Sequence, residues 1–184
     1  MKRVTFSGEH KDIDEIIQFY NLCYDAIYSY KKQLVDTDRI PEEFIGLTKE
    51  EFELLFEKKL KDMDRMFSLE LLSSIEANFR MDYLNRVYNR KKDSLSRTFR
   101  EIFKEKSHRV SLEEDILENW KSEYPAFKKY LSDYKGAIKY RNWLAHGRYW
   151  TPKLPKYHLF EVYTICRNMK EILINIERNR LLYE

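Results

Sequence analysis

Apolar residues recur at intervals of three and four along most of this chain, and that spacing is the strongest constraint on its fold. It places apolar side chains on one face of an α-helix. The sequence contains only four Gly and four Pro residues, so few turns interrupt the pattern and long helices are expected. No stretch alternates polar and apolar residues as a strand does. The pattern therefore predicts an all-α bundle of five or six helices.

Two helices are predicted in the first half of the chain. The first covers roughly residues 12–35. A capping box formed by Thr48 and Glu51 then opens a long helical stretch. This stretch is expected to extend to Val87, with a break near residue 64.

The second half of the chain is predicted to hold the remaining helices. A shorter helix ends near Lys106, and Ser111 and Glu114 form a second capping-box pattern. Pro125 begins the penultimate helix, because proline is tolerated in the first turn but not in the interior. Residues 151–156 contain two prolines and are predicted to form a linker to the last helix.

The chain is expected to form one domain over residues 1–184, a length that supports one hydrophobic core. Cys23 and Cys166 are far apart in the sequence, without a CxxC pattern or Cys/His cluster, so neither a zinc site nor a disulfide framework is expected. No metal or cofactor is predicted. The N-terminus lacks the apolar segment of a signal peptide, and no apolar run is long enough to span a membrane. The predicted location is the cytoplasm, without a membrane partner.

The charges are unevenly distributed along the chain. Ten Lys and Arg residues and four acidic residues lie between Arg80 and Arg109, a net charge of +6. Six Glu residues and one Lys lie between Glu42 and Glu57, a net charge of −5. Such a polarised molecule is suited to binding a polyanion on one face. The alternative is that these are ordinary solvated helix faces.

The candidate site lies in the segment KYRNWLAHGRYW, residues 139–150, near the end of the penultimate helix. Asn142 and His146 are four residues apart and share a helix face. Arg141 and His146 are about 140° apart around the helix axis, so one straight helix does not aim both at one point. They converge if the helix unwinds before Gly147, or if two copies of the helix meet across a two-fold axis.

A purely structural interpretation of the segment stands beside this one. Gly147 suits the left-handed position just past the end of a helix. Arginine and histidine in a last turn offset the negative end of the helix dipole. On this alternative, the segment is a helix cap in a structural bundle.

The residues Arg141, Asn142 and His146, followed by Gly147 in the sequence RNWLAHG, resemble the signature of the HEPN superfamily. The resemblance implies a small helical bundle that forms a two-fold homodimer with two such motifs in one cleft. It also implies a metal-independent endoribonuclease of the toxin–antitoxin, abortive-infection or antiviral-defence type. Some members of the superfamily are instead non-catalytic modules that bind RNA or proteins.

The sequence departs from one subgroup of that superfamily. Toxins that are paired with nucleotidyltransferase antitoxins carry a Tyr two residues after the His. Here that position holds Arg148, and the tyrosine follows as Tyr149. Control by modification of that tyrosine is therefore not expected.

Three residues of the motif are assigned catalytic roles on this interpretation. His146 transfers protons, because histidine titrates near neutrality. Arg141 donates two hydrogen bonds to the phosphate oxygens, as lysine does not. Asn142 either orients His146 or holds the ribose.

Arg148, Tyr149 and Trp150 are candidate RNA-binding residues, with the aromatic rings stacked on bases. The alternative for the two rings is packing.

An upstream carboxylate is a candidate auxiliary residue. Glu76 falls within the apolar stripe that includes Leu72 and Phe79, and a carboxylate on an apolar face needs a partner. Arg80, four residues on, can supply one from the same helix, and Arg141 can supply one from a neighbouring helix. Glu76 is therefore predicted either to position Arg141 or to form a structural ion pair.

These observations lead to one prediction and two rivals. The prediction is a HEPN-like, homodimeric, metal-independent endoribonuclease whose partners are RNA, a second copy and an antitoxin or regulatory protein. The first rival is a non-catalytic RNA-binding or protein-interaction module of the same fold. The second is a structural helical-bundle dimer in which the motif serves only as a helix cap.

Overall fold

The computed structural model describes residues 3–36, 41–151 and 157–181. Within these residues the chain is helical and contains no strand, so the all-α prediction is confirmed. The described residues form six α-helices: α1 (Ile13–Asp36), α2 (Lys49–Tyr88), α3 (Ser94–Lys106), α4 (Glu118–Glu123), α5 (Lys128–Ala145) and α6 (Leu159–Leu181). A π-helical turn, Leu112–Leu117, leads into α4. None of the described helices combines the length and apolarity needed to span a membrane.

Helix α2 is the central element of the bundle. Its 40 residues give it a length of about 60 Å, and it packs against α1, α3, α5 and α6. The predicted break near residue 64 is wrong. Met63 and Phe67 continue the buried face there, and the Phe67 ring meets Tyr20 of α1 edge-on with 5.3 Å between centroids. This packing keeps the helix continuous through a sequence that is locally rich in charge.

The two predicted capping boxes have different outcomes. The Thr48 hydroxyl accepts a hydrogen bond from the Glu51 N–H (3.2 Å), and the Glu51 carboxylate accepts one from the Thr48 N–H (2.8 Å), so this box is confirmed. Ser111 accepts from the Glu114 N–H (3.2 Å), but its own N–H donates to Asp115 (2.8 Å). Glu114 is therefore the wrong partner. A π turn has one more residue than an α turn. The Asp115 carboxylate, and not that of Glu114, therefore lies within hydrogen-bonding distance of the Ser111 N–H.

Helix α5 carries the candidate motif and packs against α2 and α6. Leu131, Tyr134 and Ile138 are buried, as the apolar stripe predicts. Ala145, which the same stripe includes, is exposed. Leu144 is buried instead at this end of the helix. Of the predicted linker, only Thr151 lies within the described residues.

Candidate functional site

Helix α5 ends in a Schellman motif that contains the motif histidine. His146 is the C-cap, and Gly147 has the left-handed φ of 80°. The Gly147 N–H donates to the Leu144 carbonyl (3.4 Å), and the Arg148 N–H donates to the Trp143 carbonyl (3.2 Å), as the Schellman pattern requires. The predicted cap role of Gly147 is thus confirmed. Because α5 remains helical through Ala145, unwinding does not bring Arg141 towards His146.

The Arg141 guanidinium is held by a neighbouring helix. Its Nη2 atom lies 3.0 Å from Oε2 of Glu76 on α2. The other oxygen of the same carboxylate accepts a hydrogen bond from Arg80 Nε (2.9 Å). Arg80 also donates to the Val110 carbonyl (3.2 Å). One carboxylate therefore serves two arginines, and the structure contains both of the partners considered for Glu76 from the sequence.

Asn142 is joined to Arg141. Its side-chain oxygen accepts a hydrogen bond from Arg141 Nη1 (3.2 Å). Asn142 meets His146 through the backbone, where the His146 N–H donates to the Asn142 carbonyl (3.0 Å). The buried Nε of Arg141 has no hydrogen-bond partner in the described residues. In this arrangement Asn142 and Glu76 together orient the guanidinium.

The His146 side chain is exposed at the end of α5. In the described part of the chain, no side-chain hydrogen bond or ion pair holds its imidazole. The Trp150 ring lies beside it, with 6.4 Å between centroids and the planes tilted by 37°. The imidazole is therefore accessible to a ligand that approaches from solvent.

Arg148 is more constrained than a free surface arginine. Its φ of 60° lies in the left-handed region, where a non-glycine residue is uncommon. Its Nη1 atom lies 2.9 Å from Oδ1 of Asp62 on α2, and Arg65 contacts the same oxygen at 2.9 Å. Hydrogen bonds from Arg148 and Arg65 lower the pKa of the Asp62 carboxyl group below its ordinary value. Two cations share one anion here, so the group retains a positive charge.

Aromatic rings line the surface after the helix end. Tyr149 is 84% exposed and Trp150 is 38% exposed, and their rings meet edge-on with 4.6 Å between centroids. The indole N–H of Trp143 donates to the Trp150 carbonyl (2.7 Å) and fixes this segment against α5. Tyr149 is thus open to a ligand, whereas part of Trp150 is used in packing.

The structure adds Asp62, Arg65 and Trp143 to the residues inferred from the sequence. The contact between Asp62 and Arg148 joins residues that are 86 positions apart. No local pattern marks it, because each residue alone is compatible with an ordinary exposed helix position. Trp143 could have been predicted from the sequence, since an indole N–H near a helix end needs a hydrogen-bond acceptor.

The described cavities lie elsewhere. Two cavities of about 530 and 500 Å³ lie between α1, the preceding segment and α2, and both are lined by Lys11, Ile16 and Glu70. Neither is lined by a residue of the motif. Among the described residues, no group of three or more His, Cys, Asp and Glu side chains is placed to hold a metal ion.

The chain matches no protein-family model, no curated protein and no solved structure. The interpretation of the site therefore rests on its own residues and on the short resemblance in its sequence.

Proposed function

We propose that this chain is a HEPN-like, homodimeric endoribonuclease of a toxin or antiviral-defence type, which acts on RNA in the cytoplasm without a metal ion. The observation that carries the proposal is the ion pair between Glu76 and Arg141 (3.0 Å). It positions the motif arginine from a second helix. The motif histidine, five residues on, remains exposed and accessible.

The proposed chemistry is transesterification by the ribose 2′-hydroxyl. His146 of one copy removes the 2′-OH proton while O2′ attacks the phosphorus and the bond to O5′ breaks. His146 of the other copy gives a proton to the departing O5′, so the products are a 2′,3′-cyclic phosphate and a 5′-hydroxyl. Arg141 donates hydrogen bonds to the phosphate oxygens as charge develops, an effect worth about 3–4 kcal/mol per donor in other enzymes.

The intact helix supports a site made from two copies. Arg141 and His146 are about 140° apart around an α-helix, and α5 does not unwind between them. A two-fold axis beside the end of α5 brings the Arg141 of each copy towards the His146 of its partner. An antitoxin or regulatory protein that covers the cleft would restrain the activity.

A second candidate function is a non-catalytic RNA-binding module of the same architecture. The observation that favours it is the Asn142 side chain, which bonds to Arg141 (3.2 Å) and not to His146. A general base is normally oriented by a neighbouring group. In the described part of the chain, the His146 imidazole has no such partner.

The test is cleavage of unmodified RNA in EDTA by wild type, His146→Ala and Arg141→Lys. Lysine keeps the charge beside Glu76 but loses the guanidinium fork. His158→Ala is the matched control, because it removes another exposed histidine whose backbone N–H, not its side chain, bonds to Glu161. We expect cleavage by wild type and the control, and a loss of at least about a hundredfold in the other two.

The remaining outcomes separate the rivals. RNA binding by wild type without cleavage, lost in Arg141→Lys, supports the binding module. Wild type that neither cleaves nor binds RNA, with a lowered melting temperature in the motif variants, leaves only the helix-cap interpretation. Each variant is compared at matched helicity and oligomeric state.

A further inference from the structure

We propose that the connection between α2 and α3 carries a second RNA-binding site, which holds the phosphate backbone outside the cleavage site. It consists of Arg90, Lys92, Arg97 and Arg100, here named the α2–α3 basic cluster. The choice of RNA as the ligand rests on the proposed function. The chemistry of the cluster itself, a concentrated set of cations with no carboxylate partner among the described residues, suits any single-stranded phosphate polymer.

The Lys and Arg side chains between residues 80 and 109 fall into two sets, according to whether they contact a carboxylate among the described residues. Five of the ten Lys and Arg residues between residues 80 and 109 contact a carboxylate within 4 Å: Arg80, Arg86, Lys91, Lys104 and Lys106. In the described part of the chain the other five have no carboxylate partner. Four of these five form the basic cluster, and the fifth is Arg109. The net charge of the segment is therefore concentrated at one end of α3.

Backbone carbonyls hold two of the guanidinium groups in place. Arg97 Nε donates to the Lys92 carbonyl (3.0 Å), and Arg100 Nη1 donates to the Lys91 carbonyl (2.6 Å). Both carbonyls belong to the connection between α2 and α3. The two arginine side chains therefore fold back onto the segment that also contains Arg90 and Lys92. A carbonyl orients a guanidinium without neutralising it. The remaining N–H groups stay available for bidentate contacts with phosphate.

The backbone conformation at Arg90 is one that glycine adopts more readily than arginine. Helix α2 ends in a Schellman motif, with bonds from the Arg90 N–H to the Val87 carbonyl and from the Lys91 N–H to the Arg86 carbonyl (both 3.3 Å). Arg90 occupies the left-handed position with a φ of 48°. Glycine is usual there. The arginine at this position places an exposed guanidinium side chain at the turn.

The cluster lies within reach of one RNA strand that also occupies the motif. Arg90 is 14 residues beyond Glu76 in sequence, and α2 connects them, so the two sites are about 20 Å apart along the helix axis. Arg80 lies between them and is bonded to Glu76. A bound strand of several nucleotides would therefore run along α2 from the cluster to Arg141.

A second copy of the chain is the rival occupant, since the other end of the molecule is acidic. Two of the six glutamates between residues 42 and 57 already pair with cations: Glu53 with Lys31, and Glu57 with Lys61. The acidic segment is thus partly neutralised, whereas the basic cluster has no carboxylate partner in the part of the chain that the structure describes. This difference favours RNA over the acidic end of a second copy.

The test measures binding separately from cleavage. A fluorescent single-stranded RNA with 2′-O-methyl riboses, which lacks the nucleophile, is titrated by anisotropy at several salt concentrations. The variants are Arg90→Gly/Lys92→Gln and Arg97→Gln/Arg100→Gln. The matched control is Lys58→Gln/Lys59→Gln, which removes two exposed charges of α2 outside the cluster. The first variant places glycine where φ is positive, so its fold is expected to be retained.

We expect each cluster variant to weaken binding on the order of tenfold at 0.1 M salt, equally for different RNA sequences. The slope of log K against log salt should fall by about 1.4, because each phosphate contact to a single strand contributes about 0.7. The control should bind as wild type does. Equal binding by the cluster variants and the control would overturn the proposal.

Two further outcomes are informative. Loss of salt-dependent self-association in the cluster variants, with RNA binding unchanged, would also overturn it and assign the cluster to a second copy. The proposed function is judged separately by cleavage of unmodified RNA. Cleavage with cluster-independent binding defeats only the second site, and cluster-dependent binding without cleavage defeats only the nuclease.

Discussion

Two groups of paired arginine and carboxylate side chains lie along the same helix, α2, and they have opposite ratios of arginine to carboxylate. Near the motif, the single carboxylate of Glu76 contacts two arginines, Arg80 and Arg141. Near the end of α2, the single guanidinium of Arg86 contacts two carboxylates, those of Asp82 (2.7 Å) and Asp93 (2.9 Å). Both groups contain a pair four residues apart on α2, so the local sequence pattern is the same.

The two groups differ in burial and in remaining charge. Arg86 is 1% exposed, lies over the Trp120 ring and also donates to the Ser96 hydroxyl (3.4 Å). The side chain of Arg141 is 29% exposed, and its group carries one more cation than anion. A buried guanidinium with several acceptors is a structural element, whereas a partly exposed surplus cation is suited to binding an anion. The comparison shows that the two groups differ in their ratio of arginines to carboxylates and in burial, although the local pairing on α2 is the same.

The largest effect is expected when the buried group is broken. Arg86→Met keeps an unbranched side chain but leaves Asp82 and Asp93 without their partner. Loss of one partner of a buried ion pair typically costs about 3–5 kcal/mol, and we expect a loss of that size in the free energy of unfolding, measured with urea. A loss of under about 1 kcal/mol would show that the Arg86 group is not a stabilising element.

Breaking the group at the motif should affect activity more than stability. Glu76→Gln keeps the size of the side chain but removes the charge that positions Arg141. Because small misplacements of a catalytic group are costly, we expect kcat to fall roughly ten- to hundredfold with KM nearly unchanged. The free energy of unfolding should change by no more than about 1 kcal/mol.

The control for Glu76 is Glu70→Gln on the same helix. Glu70 pairs with Lys11 at 3.0 Å and is not in contact with the motif. It should retain wild-type kcat. Equal loss of kcat in both variants, or a loss in Glu76→Gln that is matched by unfolding, would contradict the positioning role.

One carboxyl group that contacts Arg86, that of Asp93, also predicts a pH dependence of stability. Burial raises the pKa of the Asp93 carboxyl group, but hydrogen bonds from Ser96 and the charge of Arg86 outweigh burial, so its pKa lies below the ordinary value. A carboxyl group with a lowered folded pKa adds stability above its unfolded pKa, about 3.9. That stability is lost as the pH falls through the folded pKa.

Asp93→Asn tests this effect, because asparagine caps helices as well as aspartate does. At pH 7 we expect a loss of about 1.5 kcal/mol, the size of a hydrogen bond to a charged group. The difference from wild type should shrink in urea titrations below about pH 4. A difference that stays constant from pH 7 to pH 3 would show that the charge of Asp93 contributes nothing.

Sequence reasoning located the elements whose constraint is local. The Thr48–Glu51 box follows from side chains within one turn, and α1 (Ile13–Asp36) agrees with the helix that apolar periodicity predicts over roughly residues 12–35. The sequence also predicts that Glu76 has a partner, because a carboxylate on an apolar face requires one, but it leaves the choice between Arg80 and Arg141 open, and the structure contains both pairs. The continuity of α2 was not, since it depends on Phe67 packing against Tyr20 of another helix.

Contacts between two exposed positions lay beyond the sequence. Nothing near Asp62 or Arg148 shows that they meet across 86 residues, because either side chain is satisfied by water alone. The proportion of charges in each arginine group was equally hidden, since Asp93 reaches Arg86 only through the turn between α2 and α3. The proposed function depends on that ratio of arginines to carboxylates, so the sequence predicts the candidate residues but not their arrangement.

The smallest effect contrasts the helix ends beside the two groups. Helix α5 ends with Gly147 at a φ of 80°, and α2 ends with Arg90 at a φ of 48°. A Cβ atom at Gly147 would meet nothing within 4 Å, so Gly147→Ala isolates the backbone cost, about 1 kcal/mol. Arg90→Gly relieves the same strain but loses a similar amount through the freer unfolded chain, so its unfolding free energy should change by less than about 0.5 kcal/mol. Thermal unfolding of both variants measures the contrast.

A large gain in Arg90→Gly would mean that α2 tolerates a strained arginine at a real cost in stability, which would strengthen the assignment of that side chain to a ligand. A large loss would instead give Arg90 a structural role and weaken the case for the α2–α3 basic cluster.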